Sequence, residues 1–273
     1  MTKNTDSANL KTNKTPISYY GGKQKMVKHI LPLIPKHHIY VEPFFGGGAI
    51  FFAKEPSHIE VINDLNGEVV NFYAVMQNDF EALQKKISTQ IHSRQIYRDA
   101  AVVNCSPHLF SKLERACAFW VLTNQGFGSQ ISTSSWGYSR IKNSDSLKNK
   151  NKREAFGAFY GERISLTQIE NNNALQVIKS RDTPQTFVYA DPPYHNACQG
   201  HYKGYTQADY IDLLEVLKNM KGKFLLSSYP CETLAKYTQE NGWNTQKVEG
   251  TVSINGFGVQ KKKTEVLTAN YPI

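Results

Sequence analysis

Asp191-Pro192-Pro193-Tyr194 directly follows the apolar run Thr186-Phe187-Val188-Tyr189-Ala190, which reads as a buried strand. A carboxylate, two rigid prolines and an aromatic ring therefore stand together at a strand's carboxyl end, where open α/β sheets place their chemistry. Such a set suits gripping a planar ring that bears an amino group. An ordinary strand-end turn is the plainer reading of Asp191, and the four residues together weigh against it.

A second group is Val41-Glu42-Pro43-Phe44-Phe45-Gly46-Gly47-Gly48-Ala49-Ile50. Glycines between a strand and a helix let backbone approach a ligand, while the helix amino end offers unpaired N–H groups. A plain turn is the competing reading. The apolar stretch Ile59 to Ile62 predicts a strand ending at Asn63-Asp64. Asp64 then lies roughly 20 residues beyond the glycines, where an acid accepts hydrogen bonds from a ribose. Asp64 also suits the N-cap of a helix over Leu65 to Met76, a role compatible with ribose binding. Phe44, Gly46, Gly48 and Asp64 are thus expected to hold a nucleoside-bearing cofactor. A pyrophosphate dinucleotide favours G-x-G-x-x-G, but here Ala49, Ile50 and Phe51 follow the glycines and the third glycine is missing. S-adenosylmethionine carries ribose and adenine without phosphate, and its carboxylate would pair with a nearby cation. Lys23, in Tyr19-Tyr20-Gly21-Gly22-Lys23, supplies one, with Tyr19 or Tyr20 able to lie against a ring. A surface turn beside two core tyrosines is the alternative.

Positioning these groups requires a sheet. From Ile17 to about Val75 the order is glycine turn, amphipathic helix at Met26 to Ile34, strand at Ile39 to Val41, glycine loop, helix and strand, the βαβ rhythm of a parallel sheet. From Met76 to Glu162 that rhythm gives way to polar helix-like stretches, a Ser/Gly/aromatic segment and the Lys/Asn-rich run Lys142 to Arg153, which reads as loop. Strands return after Ile164: Leu175 to Ile178 is ambiguous, Phe187 to Ala190 and Phe224 to Ser227 are clear, and Asp209 to Met220 predicts a helix. Gln246 to Ile254 and Thr264 to Asn270 flank Asn255-Gly256-Phe257-Gly258, as in an antiparallel hairpin closing a mostly parallel sheet. The expected fold is α/β, a Rossmann-like sheet formed by residues 17–75 and 164–273. An inserted, mainly helical domain with a β-hairpin occupies 76–163, and residues 1–16 form a disordered tail.

Composition narrows the function classes. Lys+Arg of 32 against Asp+Glu of 23 gives +9, the profile of a protein that meets a polyanion or of a merely solvated basic surface. Cys105, Cys117, Cys198 and Cys231 form no CxxC pair, so neither a metal site nor a disulfide framework is expected. The chain is expected to be soluble and cytoplasmic, since no apolar run approaches the roughly 20 residues that span a bilayer.

Taken in order, Tyr19-Tyr20-Gly21-Gly22-Lys23, the Glu42 to Ala49 loop, Asn63-Asp64-Leu65-Asn66 and Asp191-Pro192-Pro193-Tyr194 resemble the motifs of Dam-type DNA adenine methyltransferases. The likeness extends through Gln168-Ile169-Glu170-Asn171 and Lys263-Thr264-Glu265-Val266-Leu267. It implies a bacterial or phage enzyme that binds S-adenosylmethionine at Tyr19, Lys23, Asp64 and Asp191, acts on double-stranded DNA, and carries a target-recognition domain ahead of the Asp191 strand. GATC is the first site it suggests. Many relatives carry Trp where Tyr19 stands and an acid where Asn173 stands, which puts a cofactor-adenine contact at Asn173 in doubt.

Adenine's exocyclic nitrogen has its lone pair delocalised into the ring. The Asp191 carboxylate and the Pro192 carbonyl are candidates to hold its two hydrogens and restore a reactive nitrogen, with Tyr194 stacked on a base that has left the duplex. In the insertion, Asn124, Gln125, Ser129 and Arg140, within the stretches Thr123 to Ser129 and Ser135 to Arg140, suit a hairpin that reads base edges. Arg140, Lys142, Lys148, Lys150, Lys152 and Arg153 suit phosphate contacts, and a solvated basic loop competes with that reading. A methyltransferase of cytosine amino groups, RNA or protein is the alternative enzyme, and a silent DNA-binding protein the alternative class.

Overall fold

The strands lie in one sheet because their side chains alternate between two apolar faces. The structure, a computed structural model, describes residues 14–129, 136–140, 142–194, 204–254 and 259–273. Within them the strands are β1 (Ile39–Glu42), β2 (Ile59–Asn63), β3 (Gln168–Glu170), β4 (Thr186–Ala190), β5 (Lys223–Ser228), β6 (Asn244–Ile254) and β7 (Val259–Ala269). The helices are α1 (Val27–Ile30), α2 (Ala49–Ala53), α3 (Gly67–Asn78), α4 (Phe80–Ser88), α5 (Arg94–Cys105), α6 (Lys112–Gln125), α7 (Ser144–Ala155), α8 (Ala158–Ile164), α9 (Ala174–Arg181), α10 (Gln207–Lys218) and α11 (Glu232–Asn241). The sheet order is β3-β2-β1-β4-β5-β7-β6. The first five strands run parallel, and β7 pairs antiparallel with both β5 and β6.

Strand order reverses between β1 and β4, which pair with Val41 opposite Val188. In open α/β sheets the crevice beyond such a reversal is where ligands bind. The carboxyl ends of β1 and β4 carry the glycine loop and Asp191, so this topology brings the two motifs together. Tyr40, Phe187, Tyr189 and Leu225 join one apolar cluster, and Val41, Val188, Phe224 and Leu226 the other. That period of two explains why β4 is buried throughout and reads as a continuous apolar run.

The stretch 76–163, expected as an insertion, shares the first cluster. Phe72 of α3 lies 6.0 Å from Phe119 of α6 and 6.3 Å from Phe156, ring centre to ring centre, so one core crosses the boundary at residue 76. At the insertion's return, Arg163 pairs with Glu60 of β2, donates to the Phe51 carbonyl at 2.9 Å and lies 3.7 Å from the Phe51 ring. Lys54 donates to Glu60 Oε1 at 2.5 Å, so one buried acid holds two cations.

Several elements differ from expectation. Leu175 to Ile178 lies within helix α9 because the Asn173 side chain accepts the N–H of Leu175 at 2.9 Å and so starts a helix. The run Lys142 to Arg153 is largely helix α7. Its polar sequence lacks an apolar stripe, and it is fixed instead by Asn149 donating to the Gln90 carbonyl at 2.9 Å. Lys14 to Pro16, expected in the tail, are tied down by Tyr160 Oη donating to Lys14 O at 2.6 Å and Trp120 Nε1 to Pro16 O at 3.1 Å. The turn expected at 255–258 lies outside the described residues, although β6 and β7 flank it as a hairpin should. Among the described residues no helix is long and apolar enough to cross a membrane.

Candidate active site

The glycine loop is shaped by backbone strain that only glycine tolerates. Gly46 and Gly48 hold φ of 49° and 66°, and a Cβ on Gly48 would lie 2.5 Å from Phe45 Cζ. Gly46 N–H donates to Asp64 Oδ2 at 2.8 Å, and Asn66 N–H to Asp64 Oδ1 at 2.9 Å. Asp64 is 2% exposed, and burial lifts its carboxyl to about 6 against the pull of those N–H groups. The helix cap expected at Asp64 belongs instead to Asn66, whose side chain accepts the Glu68 N–H at 3.0 Å. Asp64 thus ties the end of β2 to the loop after β1. Phe44 is half-buried and packs with the α9–α10 side of the sheet, away from Phe45.

Asp191 follows β4 at the same crevice. Lys23 Nζ lies 2.8 Å from Asp191 Oδ1, with the lysine side chain 6% and the aspartate side chain 18% exposed. Burial opposes the charge on Lys23, but Asp191, Tyr194 and Glu265 outweigh it and hold the ammonium above the ordinary lysine range. Burial also pushes the Asp191 carboxyl up, against the pull of Lys23. Tyr194 Oη donates to Asp191 Oδ1 at 3.3 Å and lies 3.3 Å from Ser227 Oγ of β5. The Tyr194 ring stands 5.0 Å from Lys23 Nζ and 4.2 Å from the Tyr229 ring. Pro192 is buried beside them. Tyr19 is buried, packs 6.4 Å from Phe119, and lies over the loop where a Cβ on Gly47 would meet its own Cβ at 3.2 Å. Asp191, Tyr194 and Lys23 therefore meet, and Tyr19, four residues before Lys23, lies against the glycine loop.

Two acids without an assigned role join them. Glu42 at the end of β1 is buried and accepts the Tyr40 hydroxyl at 2.8 Å. Burial drives its carboxyl up to about 8, with Asp191 adding to the rise. Burial and the neighbouring Asp191 thus both disfavour a second negative charge at Glu42. Glu265 of β7 is buried close enough to influence Lys23, Asp191 and Tyr194. Its place beside β5 emerges only once β7 is known to insert into the sheet.

At the insertion's far end, Gly126 bridges Trp136 antiparallel, and Trp136 stacks between His92 at 4.7 Å and Tyr138 at 5.7 Å. Arg94 lies 4.7 Å from the Trp136 ring. His92 and Arg94 carried no signal in the sequence, since neither belongs to a motif. Two expected base readers serve the protein instead. Gln125, 2% exposed, donates to Ile91 O at 3.0 Å and accepts Ser93 N–H at 3.2 Å. Asn124 Oδ1 accepts Ser18 N–H at 3.0 Å and Lys152 Nζ at 2.6 Å. Arg140 is exposed and bonds the Tyr138 hydroxyl; Lys142 is exposed. The Ser129 side chain and residues 130–135 lie outside the described residues. Of the expected phosphate contacts, Lys148 and Lys150 are exposed on α7, whereas Lys152 points inward and Arg153 donates to Ser88 O at 2.9 Å.

The family model for D12 class N6 adenine-specific DNA methyltransferases matches residues 19–254. The type II methyltransferase M1.LlaDCHI of Lactococcus lactis subsp. cremoris is 27% identical over 96% of this chain and 97% of its own length. The DNA adenine methylase of Escherichia coli (strain K12) is 23% identical over 96% and 97%. The type II methyltransferase M.MjaIII of Methanocaldococcus jannaschii is 23% identical over 93% and 98%.

Proposed function

The chain belongs to the D12 class of N6 adenine-specific DNA methyltransferases, and from that premise we propose that it transfers a methyl group from S-adenosylmethionine to the N6 of an adenine flipped out of double-stranded DNA. The observation that carries this reading is the Lys23–Asp191 pair at 2.8 Å, at the strand-order reversal and in contact with Tyr194.

The residues present fit the cofactor. The glycine loop offers bare backbone where a Cβ would collide with Phe45. Asp64 is a carboxylate at the end of β2 with about four lone-pair sites, of which Gly46, Asn66 and Leu65 N–H groups use three. Lys23 has three N–H donors and gives two of them, to Asp191 and to Gly21 O at 3.2 Å; the third suits the cofactor carboxylate. When bound, S-adenosylmethionine supplies an electrophilic methyl group on a sulfonium.

The protein's part is to hold the nucleophile. Tyr194 stacks on the extruded base, a contact worth about 1–3 kcal/mol, which offsets part of the few kcal/mol needed to unstack and unpair it. The Asp191 carboxylate and Pro192 carbonyl accept the two N6 hydrogens, so the lone pair leaves conjugation and points at the methyl. Much of the acceleration then comes from alignment and from fixed charges in a site that excludes water. Burial has raised Asp191, which suits it to take the proton that N6 releases.

Asp64→Ala is expected to weaken S-adenosylmethionine binding about 10–100-fold, the worth of one hydrogen bond to a charged acceptor. Calorimetric titration checks this, and unchanged affinity removes the ribose contact. Exposed Lys150 is assigned to phosphate: Lys150→Ala should lower the slope of log affinity against log salt by about 1 without changing sequence preference. Arg140→Ala should change sequence preference; a change in the salt slope alone makes Arg140 a phosphate contact instead. Sequencing modified bases in DNA from cells expressing the chain tests the function as a whole. It should reveal methylated adenine within one short sequence, GATC being the first candidate, and unmodified adenine throughout refutes it.

A further inference from the structure

Lys152 stands on the Lys-rich helix α7 but spends its ammonium on the protein's own groups. Its Nζ donates to Ser18 Oγ at 2.6 Å and to Asn124 Oδ1 at 2.6 Å, and the same Asn124 oxygen accepts Ser18 N–H at 3.0 Å. Three separate parts of the chain thus close on one point. Ser18 immediately precedes Tyr19 and the turn that carries Lys23. Asn124 sits in the last turn of α6, two residues before the Gly126–Trp136 bridge. Lys152 lies on the same helix as the exposed Lys148 and Lys150. Burial, with Lys14 nearby, lowers the Lys152 ammonium to about 8, a cost that a lysine serving only as a surface charge would not bear.

We propose that Lys152, acting through Asn124 and Ser18, is a positioning residue for methyl transfer: it fixes the Tyr19–Lys23 segment to the DNA-recognition helices, so that binding DNA tightens binding of the cofactor. This inference rests on the cofactor and DNA reading given above. Whatever holds α7 and the end of α6 still on DNA also holds Ser18. The cofactor then meets a Tyr19–Lys23 segment already in place, and less conformational entropy is lost when it binds. Linkage requires the reverse as well: the cofactor must tighten DNA binding by the same factor. Neighbouring ties, from Trp120 to Pro16 and from Tyr160 to Lys14, run along the same segment. Among the described residues, only the Lys152 tie reaches it from the helix that carries the exposed lysines.

The test titrates the full-length chain calorimetrically with S-adenosylhomocysteine, which cannot donate a methyl group, in the absence and presence of saturating fragments of unmethylated bacterial genomic DNA. In the natural protein DNA should tighten binding by roughly 5–20-fold, within the usual range of coupling between two sites. Lys152→Met should reduce that factor to less than about 2, and Ser18→Ala, which loses the Lys152 bond but keeps its N–H on Asn124, should lower it in part; both should raise KM for the methyl donor more than they lower kcat. Asn124→Asp keeps the oxygen that accepts both bonds and places a carboxylate on Lys152. No hydrogen bond is lost, since Asn124 Nδ2 has no partner among the described residues, so this variant should retain the coupling. Lys236→Met on α11 controls for net charge and should retain it too. Ser18→Ala is the smallest change and decides the matter should Lys152→Met fail to fold. If the natural protein binds the probe but DNA does not tighten it, or tightens it equally in Ser18→Ala, the inference is overturned while the cofactor reading stands. If the natural protein does not bind the probe at all, the cofactor reading fails and takes the inference with it.

Discussion

Asp191→Asn is expected to reduce kcat by at least about 10³-fold while leaving DNA affinity within a few-fold of the natural protein. Asparagine keeps the shape but removes the negative charge and places an N–H₂ donor where N6 needs an acceptor. Lys23, only 6% exposed, would also lose the partner that lies 2.8 Å away, so the pair's effect on the developing positive charge disappears along with the acceptor. A buried ammonium without its counter-charge is costly, and a lower melting temperature should accompany the loss of turnover. Single-turnover methylation beside fluorescence anisotropy of labelled duplex separates the two effects. Turnover within tenfold of the natural protein removes Asp191 from the chemistry; DNA affinity lost in parallel with turnover makes it a folding residue instead.

Glu60→Ala carries the largest expected effect on stability. Glu60 is buried on β2 between Lys54 and Arg163. Removing it leaves two cations facing one another away from water, and breaking a buried pair of this kind costs about 3–5 kcal/mol. Replacing only the charge, as in Glu60→Gln, should cost less, since an amide oxygen still accepts from Arg163. Burial raises the Glu60 carboxyl, but Arg163 and Lys54 outweigh burial and hold it below the ordinary glutamate range. Its contribution is therefore present above the ordinary glutamate pKa and lost as pH falls through the lowered value. Urea titrations from pH 7 down to acid should show the natural protein losing more stability than Glu60→Ala. A pH dependence identical in both excludes the ionic contribution.

The site was more legible in the sequence than the surface proposed to read DNA, for a physical reason. A parallel strand buried on both faces is a continuous apolar run, so Phe187 to Ala190 declared the strand and Asp191 its end. A glycine loop likewise marks a turn whose φ other residues resist. The short edge strand β3, Gln168–Glu170, has no such run, and helix α7 has no apolar stripe, being held by Asn149 and by ion pairs such as Lys148–Asp145 at 3.2 Å. Their periodicity carried too little information. Asn124, Gln125 and Lys152 show a different limit: polar residue types suit base edges and phosphates, but only the fold reveals that Ser18, Ile91 and Ser93 had already taken their hydrogen bonds. The acids Glu42 and Glu265 come to the site from opposite ends of the chain through strand order alone.

The central claim, that the crevice between β1 and β4 brings an adenine N6 to a methyl donor, is tested most directly by incubating the purified chain with unmethylated duplex DNA and S-adenosylmethionine carrying a trideuterated methyl group, then digesting the DNA and weighing its nucleosides. The natural protein should yield trideuterated N6-methyldeoxyadenosine, and Asp191→Asn none. Label on cytosine, or on no nucleoside at all, contradicts it.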